Sequence, residues 1–130
     1  MIVVDSSVWI DYFGGRNTRP VKVLERLVKS SLLIGDLIMT EVLQGFRREA
    51  DFRRAQETFA AFEFRAMLGR DIAIAAAQNY RSLREKGVTP RNTIDTMIAT
   101  FCVLNDHLLL HNDRDFDHFE KHLGLRVVTE

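Results

Sequence analysis

The chain has 130 residues, 46% of them hydrophobic and 28% charged, which suits one domain with a sizeable core and excludes fibrous and disordered classes. Lysine plus arginine (18) balances aspartate plus glutamate (18), so bulk charge gives no affinity for nucleic acid or membranes, and a polyanion would need a local patch. A single cysteine, Cys102, excludes an intramolecular disulfide and a cysteine-built zinc site.

Ile2, Val3 and Val4 are a β-branched run that reads as a short buried strand. The pattern then turns helical over residues 8–13, with Ser6 or Ser7 as N-cap, which leaves Asp5 at the carboxyl end of the strand. In open parallel α/β sheets that edge binds ligands. Gly14-Gly15 and Arg19-Pro20 mark a loop, and residues 21–29 repeat apolar positions at a helical period. A second strand is expected at 31–34, closed by Gly35, with Asp36 capping a helix whose inner face is Leu37, Ile38, Val42, Leu43 and Phe46.

Asp51 opens a further helix through residue 62, and residues 63–68 suit a short third strand. Residues 71–86 form an amphipathic helix ended by Gly87. After Pro90, Asn92 or Thr93 caps a helix through residue 104. Residues 108–110 read as a fourth strand, 113–123 as a helix ended by Gly124, and 125–128 as a last strand. This alternation predicts a three-layer α/β/α fold around a mostly parallel sheet, with residues 1–130 as a single domain. No apolar run approaches the ~20 residues of a bilayer span, and no leader pattern stands at the N-terminus, so the cytoplasm is the expected compartment.

Four acids from four segments are positioned to converge on one sheet edge. Asp5 follows the first strand, and Glu41 lies in the first turns of the helix after the second. Asp95 lies in the first turn of its helix, and Asp113 directly follows the fourth strand. Each also has a purely structural explanation: Asp5 and Asp113 as N-caps, Asp95 at a dipole-favoured N3 position, Glu41 as a solvated surface residue. Together they are harder to explain that way, because carboxylates gathered in a cleft repel one another unless a cation joins them or their pKa values rise. An all-oxygen set suits Mg²⁺ or Mn²⁺, hard ions able to activate water against a phosphodiester.

Val3-Val4-Asp5-Ser6-Ser7-Val8, Thr40-Glu41-Val42-Leu43-Gln44-Gly45, Thr93-Ile94-Asp95-Thr96-Met97-Ile98-Ala99 and Asn112-Asp113-Arg114-Asp115-Phe116 together resemble, in this order, the blocks of PIN-domain nucleases. The style of the blocks and the short chain are similar to the VapC-type toxin ribonucleases of prokaryotic toxin–antitoxin pairs, nearly end to end. The resemblance implies a Mg²⁺-dependent endoribonuclease, with Mn²⁺ able to substitute, acting on transfer or ribosomal RNA. It places Asp5, Glu41, Asp95 and Asp113 on the family's acidic quartet. Asp5 and Asp95 would be the principal metal ligands, Asp113 a ligand directly or through water, and Glu41 the residue that orients or deprotonates the attacking water. The family's small polar residue falls on Ser6 or Ser7, and Asp115 stands as an alternative to Asp113 or shares its role. The resemblance further implies a homodimer held inactive by a VapB-type antitoxin.

Arg91, Arg114 and Arg47 or Arg48 are the candidate phosphate contacts by position. His118 and His122 share a helix at a zinc-like spacing, but Phe119 stands where a metalloprotease pattern needs Glu, and a surface helix is the better reading. Trp9 and Phe13 read as core rather than as a base-stacking platform. Three other functions share parts of this pattern. A haloacid-dehalogenase-like phosphatase wants an acid where Ser7 stands. A non-toxin PIN nuclease of RNA processing and an inactive binding module with an acidic pocket remain as alternatives.

Overall fold

A computed structural model describes residues 1–129. The β-branched and leucine-rich runs form three strands and the exposed Glu-Phe-Arg segment an edge strand, all parallel in the order β3-β2-β1-β4: β1 (Ile2–Val4), β2 (Leu32–Gly35), β3 (Glu63–Arg65) and β4 (Leu108–Leu110). Helices α1 (Ser6–Phe13) and α2 (Arg19–Leu27) join β1 to β2, and α3 (Asp36–Leu43) and α4 (Glu49–Ala60) join β2 to β3. Then α5 (Arg70–Glu85) and α6 (Thr93–Leu104) carry the chain back across the sheet to β4, and α7 (Asp117–Leu123) follows. Right-handed crossovers running first one way and then the other place α1–α4 on one face and α5–α6 on the other. The packed helix pairs agree, with α1 against α2 and α3, and α6 against α5 and α7. The expected three-layer α/β/α fold is observed.

Because the chain reverses direction at β1, the carboxyl ends of β1 and β4 flank a topological switch point, where a crevice opens. One side of the core is aromatic, with Trp9 stacked on Phe13 at 5.9 Å and meeting Phe59 edge-on at 5.1 Å. Both Trp9 and Phe59 are buried, as core packing required. Opposite them, Ile98, Cys102, Phe116 and Phe119 close the other layer. Burial pushes the Cys102 thiol up to about 12, so it is a packing residue with no thiolate at neutral pH.

Several element ends differ from the sequence expectation, each for a local reason. Asp5, rather than Ser6 or Ser7, is the N-cap of α1, because its carboxylate accepts from the Ser7 backbone N–H. Likewise Gly35 occupies the cap position of α3, and Asp36 is its first residue. β3 stops at Arg65, since the Met67 N–H donates 2.8 Å to the Asp36 carboxylate instead of to a ladder. Asp113 accepts from the Asp115 N–H and winds residues Arg114–Phe116 into a 3-10 turn, which delays α7 to Asp117. The expected last strand reduces to a Leu109–Val127 bridge. Gly124 takes a left-handed conformation (φ 74°), and the Leu125 N–H turns back to the Phe119 carbonyl, so Leu125 closes α7 instead of entering the ladder.

Candidate active site

Asp5 is fixed at the switch point by its backbone, whose N–H donates 2.9 Å to the Leu110 carbonyl of β4. Its side chain is 3% exposed, so each carboxylate oxygen must be accounted for. Oδ2 accepts from the Ser7 N–H at 3.0 Å and the Ser7 hydroxyl at 2.6 Å. Oδ1 is buried with no hydrogen-bond partner in the protein. Burial pushes the Asp5 pKa up against the lowering effect of the Ser7 bonds.

The other three expected acids approach the same edge. Glu41 is half-buried on α3 and accepts a 3.1 Å hydrogen bond from the Ser6 hydroxyl, beside Asp5 in the chain. Its pKa is raised by burial, opposed by Ser6, and raised further by the charge of Asp5. Asn92 caps α6 through the Ile94 N–H, which puts Asp95 at the third helical position, its side chain turned back toward the sheet edge. Burial, then the charges of Asp5, Asp113, Glu41 and Asp115, push Asp95 up to about 7. Asp113 enters from the end of β4, and oxygens of Asp95, Asp113 and Asp115 all lie within 4.8 Å of one another.

Asp95 and Asp113 thus share one group with Asp115, while Asp5 and Glu41 are linked to Asp95 through charge; the choice between Asp113 and Asp115 is not forced, since both join the group. Pattern alone did not single out Asp11 and Asn112, which are hydrogen-bonded to each other beside the site. A signal existed for Asp11: it falls three residues after Val8, on the buried face of α1.

An all-oxygen donor set with an unpartnered buried carboxylate oxygen fits a hard divalent cation, and fits poorly with zinc or copper, which take nitrogen or sulfur. A second group, His111 with Asp117 and Glu120, brings donor atoms equally close. There His111 Nδ1 accepts from the Asp113 N–H at 3.2 Å, so that nitrogen is already engaged within the protein. Beside the acids a cavity of about 80 Å³ is walled by Asp95, Asp115, Asn92, Arg91 and His118. Arg91 Nε lies 3.7 Å from Asp115, on a side chain 82% exposed. Of the candidate phosphate contacts, Arg91 reaches this cavity; Arg114, Arg47 and Arg48 are exposed and do not line it.

The family model of the PIN domain matches residues 2–122. The chain belongs to the PIN domain family. The resemblance carried by the four acidic blocks is thus borne out. Among curated proteins, this PIN domain is 28% identical to the ribonuclease VapC11 of Mycobacterium tuberculosis and to the VapC ribonuclease Mb1587 of Mycobacterium bovis. In each case the match spans 99% of this chain and 98% of the relative. Among solved structures, it superposes on DNA-bound VapBC from Salmonella typhimurium with a TM-score of 0.78 and 20% identity, over 98% of this chain and 96% of that one.

Proposed function

We propose that this PIN domain is a VapC-type endoribonuclease toxin that hydrolyses RNA phosphodiesters with Mg²⁺, or Mn²⁺ in its place, held by Asp5, Asp95 and Asp113. The observation that carries the reading is the buried, unpartnered Oδ1 of Asp5 at an edge shared with three other carboxylates. When bound, such an ion supplies an activated water and neutralises charge developing on the phosphate. Glu41, anchored by Ser6, is the residue placed to orient that water and take its proton. Asp115 backs Asp113 at the same group, and Arg91 is the cation at hand for a phosphate oxygen.

Residues 1–130 act on this reading as one nuclease domain. Transfer or ribosomal RNA as substrate, a homodimer, a VapB-type antitoxin partner and a cytoplasmic location follow from the family resemblance. The VapC ribonucleases among its relatives and the VapBC complex among its structural neighbours support the toxin assignment. Among the described residues no helix is long and apolar enough to cross a membrane.

The test is cleavage of transfer and ribosomal RNA with Mg²⁺, with excess chelator, and with Asp5→Asn. Cleavage is expected only with metal, and Asp5→Asn is expected to lose at least about 100-fold, in keeping with loss of a ligand. Asparagine caps a helix as well as aspartate does, so the variant keeps its fold. Asp5→Asn cutting at the wild-type rate would overturn the assignment.

A further inference from the structure

The carboxylates are held from outside their own group. Ser7 Oγ lies 2.6 Å from Asp5 Oδ2 and 3.0 Å from the Asn112 backbone nitrogen. A backbone N–H can only donate, so Ser7 accepts from Asn112 and gives its single hydroxyl proton to Asp5. The polarity of the relay is thereby fixed, and Asp5 Oδ1 is left over. Further out, the Asn112 side-chain amide donates 3.2 Å to Asp11 Oδ2, and Arg16 donates 3.1 Å to Asp11 Oδ1.

Asn112 directly precedes Asp113, so its two anchors bear on both acids at once. The backbone anchor ties it to Ser7 and Asp5; the side-chain anchor ties it to Asp11, 101 residues away in sequence. Asp11 itself is 8% exposed, while Asn112 and Arg16 are exposed. Both partners reach water, so the ion pair with Arg16 contributes little to folding, and removing Asp11 shuts neither Arg16 nor Asn112 away from solvent. The placement of Asp11 is better explained by what it orients.

Taking the carboxylate group as a metal centre, as above, we propose that Asp11 is a positioning residue for it. By gripping the Asn112 side chain it sets the separation of Asp5 and Asp113, and with it the affinity for a divalent cation. Partners one step removed from metal ligands typically change affinity 10- to 100-fold when lost. The Asp11–Asn112 bond is such a partner for two ligands together.

Calorimetric titration of the full chain with MnCl₂ tests this in wild type, Asp11→Leu, Asp11→Asn, Asn112→Ala and the Asp11→Leu/Asn112→Ala double variant. Asp11→Leu is expected to weaken Mn²⁺ about 10-fold with the metal-free melting temperature nearly unchanged. Asp11→Asn, which still offers an oxygen to Asn112, should restore most of the affinity. The double variant should be no weaker than either single one, because both break one link. Wild-type affinity in Asp11→Leu would overturn the inference while leaving the metal centre intact. So would equal weakening in Asp11→Asn and Asp11→Leu, which would assign the effect to charge. Should Asp11→Leu not fold, Asn112→Ala with unaltered affinity overturns it as well. A wild-type chain that binds no Mn²⁺ would overturn both this inference and the reading beneath it.

Discussion

Asp95 shows what the site demands of single residues. Its pKa is pushed to about 7 by burial and four neighbouring carboxylates, against an ordinary value of 3.8. A carboxyl group raised in the folded state binds its proton more tightly there than in the unfolded chain. Between those two values the native state therefore holds more protons, and stability falls as pH rises. The metal-free protein is expected to melt at a higher temperature at pH 5 than at pH 7.5, and saturating Mg²⁺ should remove most of the difference. In Asp95→Asn the slope should flatten and the metal-free melting temperature at pH 7.5 should rise, because a repelling charge is gone. Thermal melts across that pH range, with chelator and with Mg²⁺, check both. A slope in Asp95→Asn as steep as in wild type would place the titration elsewhere.

At the scale of elements, the join of β2 to α3 places Glu41. Gly35 ends β2, and an added Cβ there would lie 2.0 Å from the sulfur and 2.3 Å from Cγ of the buried Met67. Met67 has little room to move aside, since its side chain is fully buried and its backbone is held by Asp36, the first residue of α3. Gly35→Ala is thus expected to destabilise by about 1–3 kcal/mol, seen as a lower denaturant midpoint, and to disturb the helix bearing Glu41. An unchanged midpoint would show that Met67 repacks freely. The same join marks how far the sequence could be read. Alternation and capping residues located β1, β2, β4 and the helices, because apolar runs and caps are local signals. The ends of β3 were not legible, because they depend on a contact between distant residues, Asp36 with Met67; the last strand was lost to a turn of Leu125 back to Phe119 that apolar alternation does not reveal. Asp5, Asp95 and Asp113 were legible because each follows a strand or opens a helix, and Glu41 because it lies within the helix that follows β2. Asp11 was not, since its partner Asn112 lies on the far side of the chain.

For the molecule as a whole, the strand order β3-β2-β1-β4 makes the crevice, and the balanced charge of 18 against 18 gives it no general pull on a polyanion. Anionic substrate and acidic site meet only if a cation lies between them, and the chain's own nearby candidate is Arg91, already facing Asp115. Activity accordingly depends on where a divalent ion binds. Anomalous diffraction from crystals soaked in MnCl₂ measures this directly. The expected result is a peak about 2.1 Å from Asp5 Oδ1, with Asp95 and Asp113 completing its protein ligands. A peak at His111, Asp117 and Glu120 instead, or none at Asp5, would contradict it.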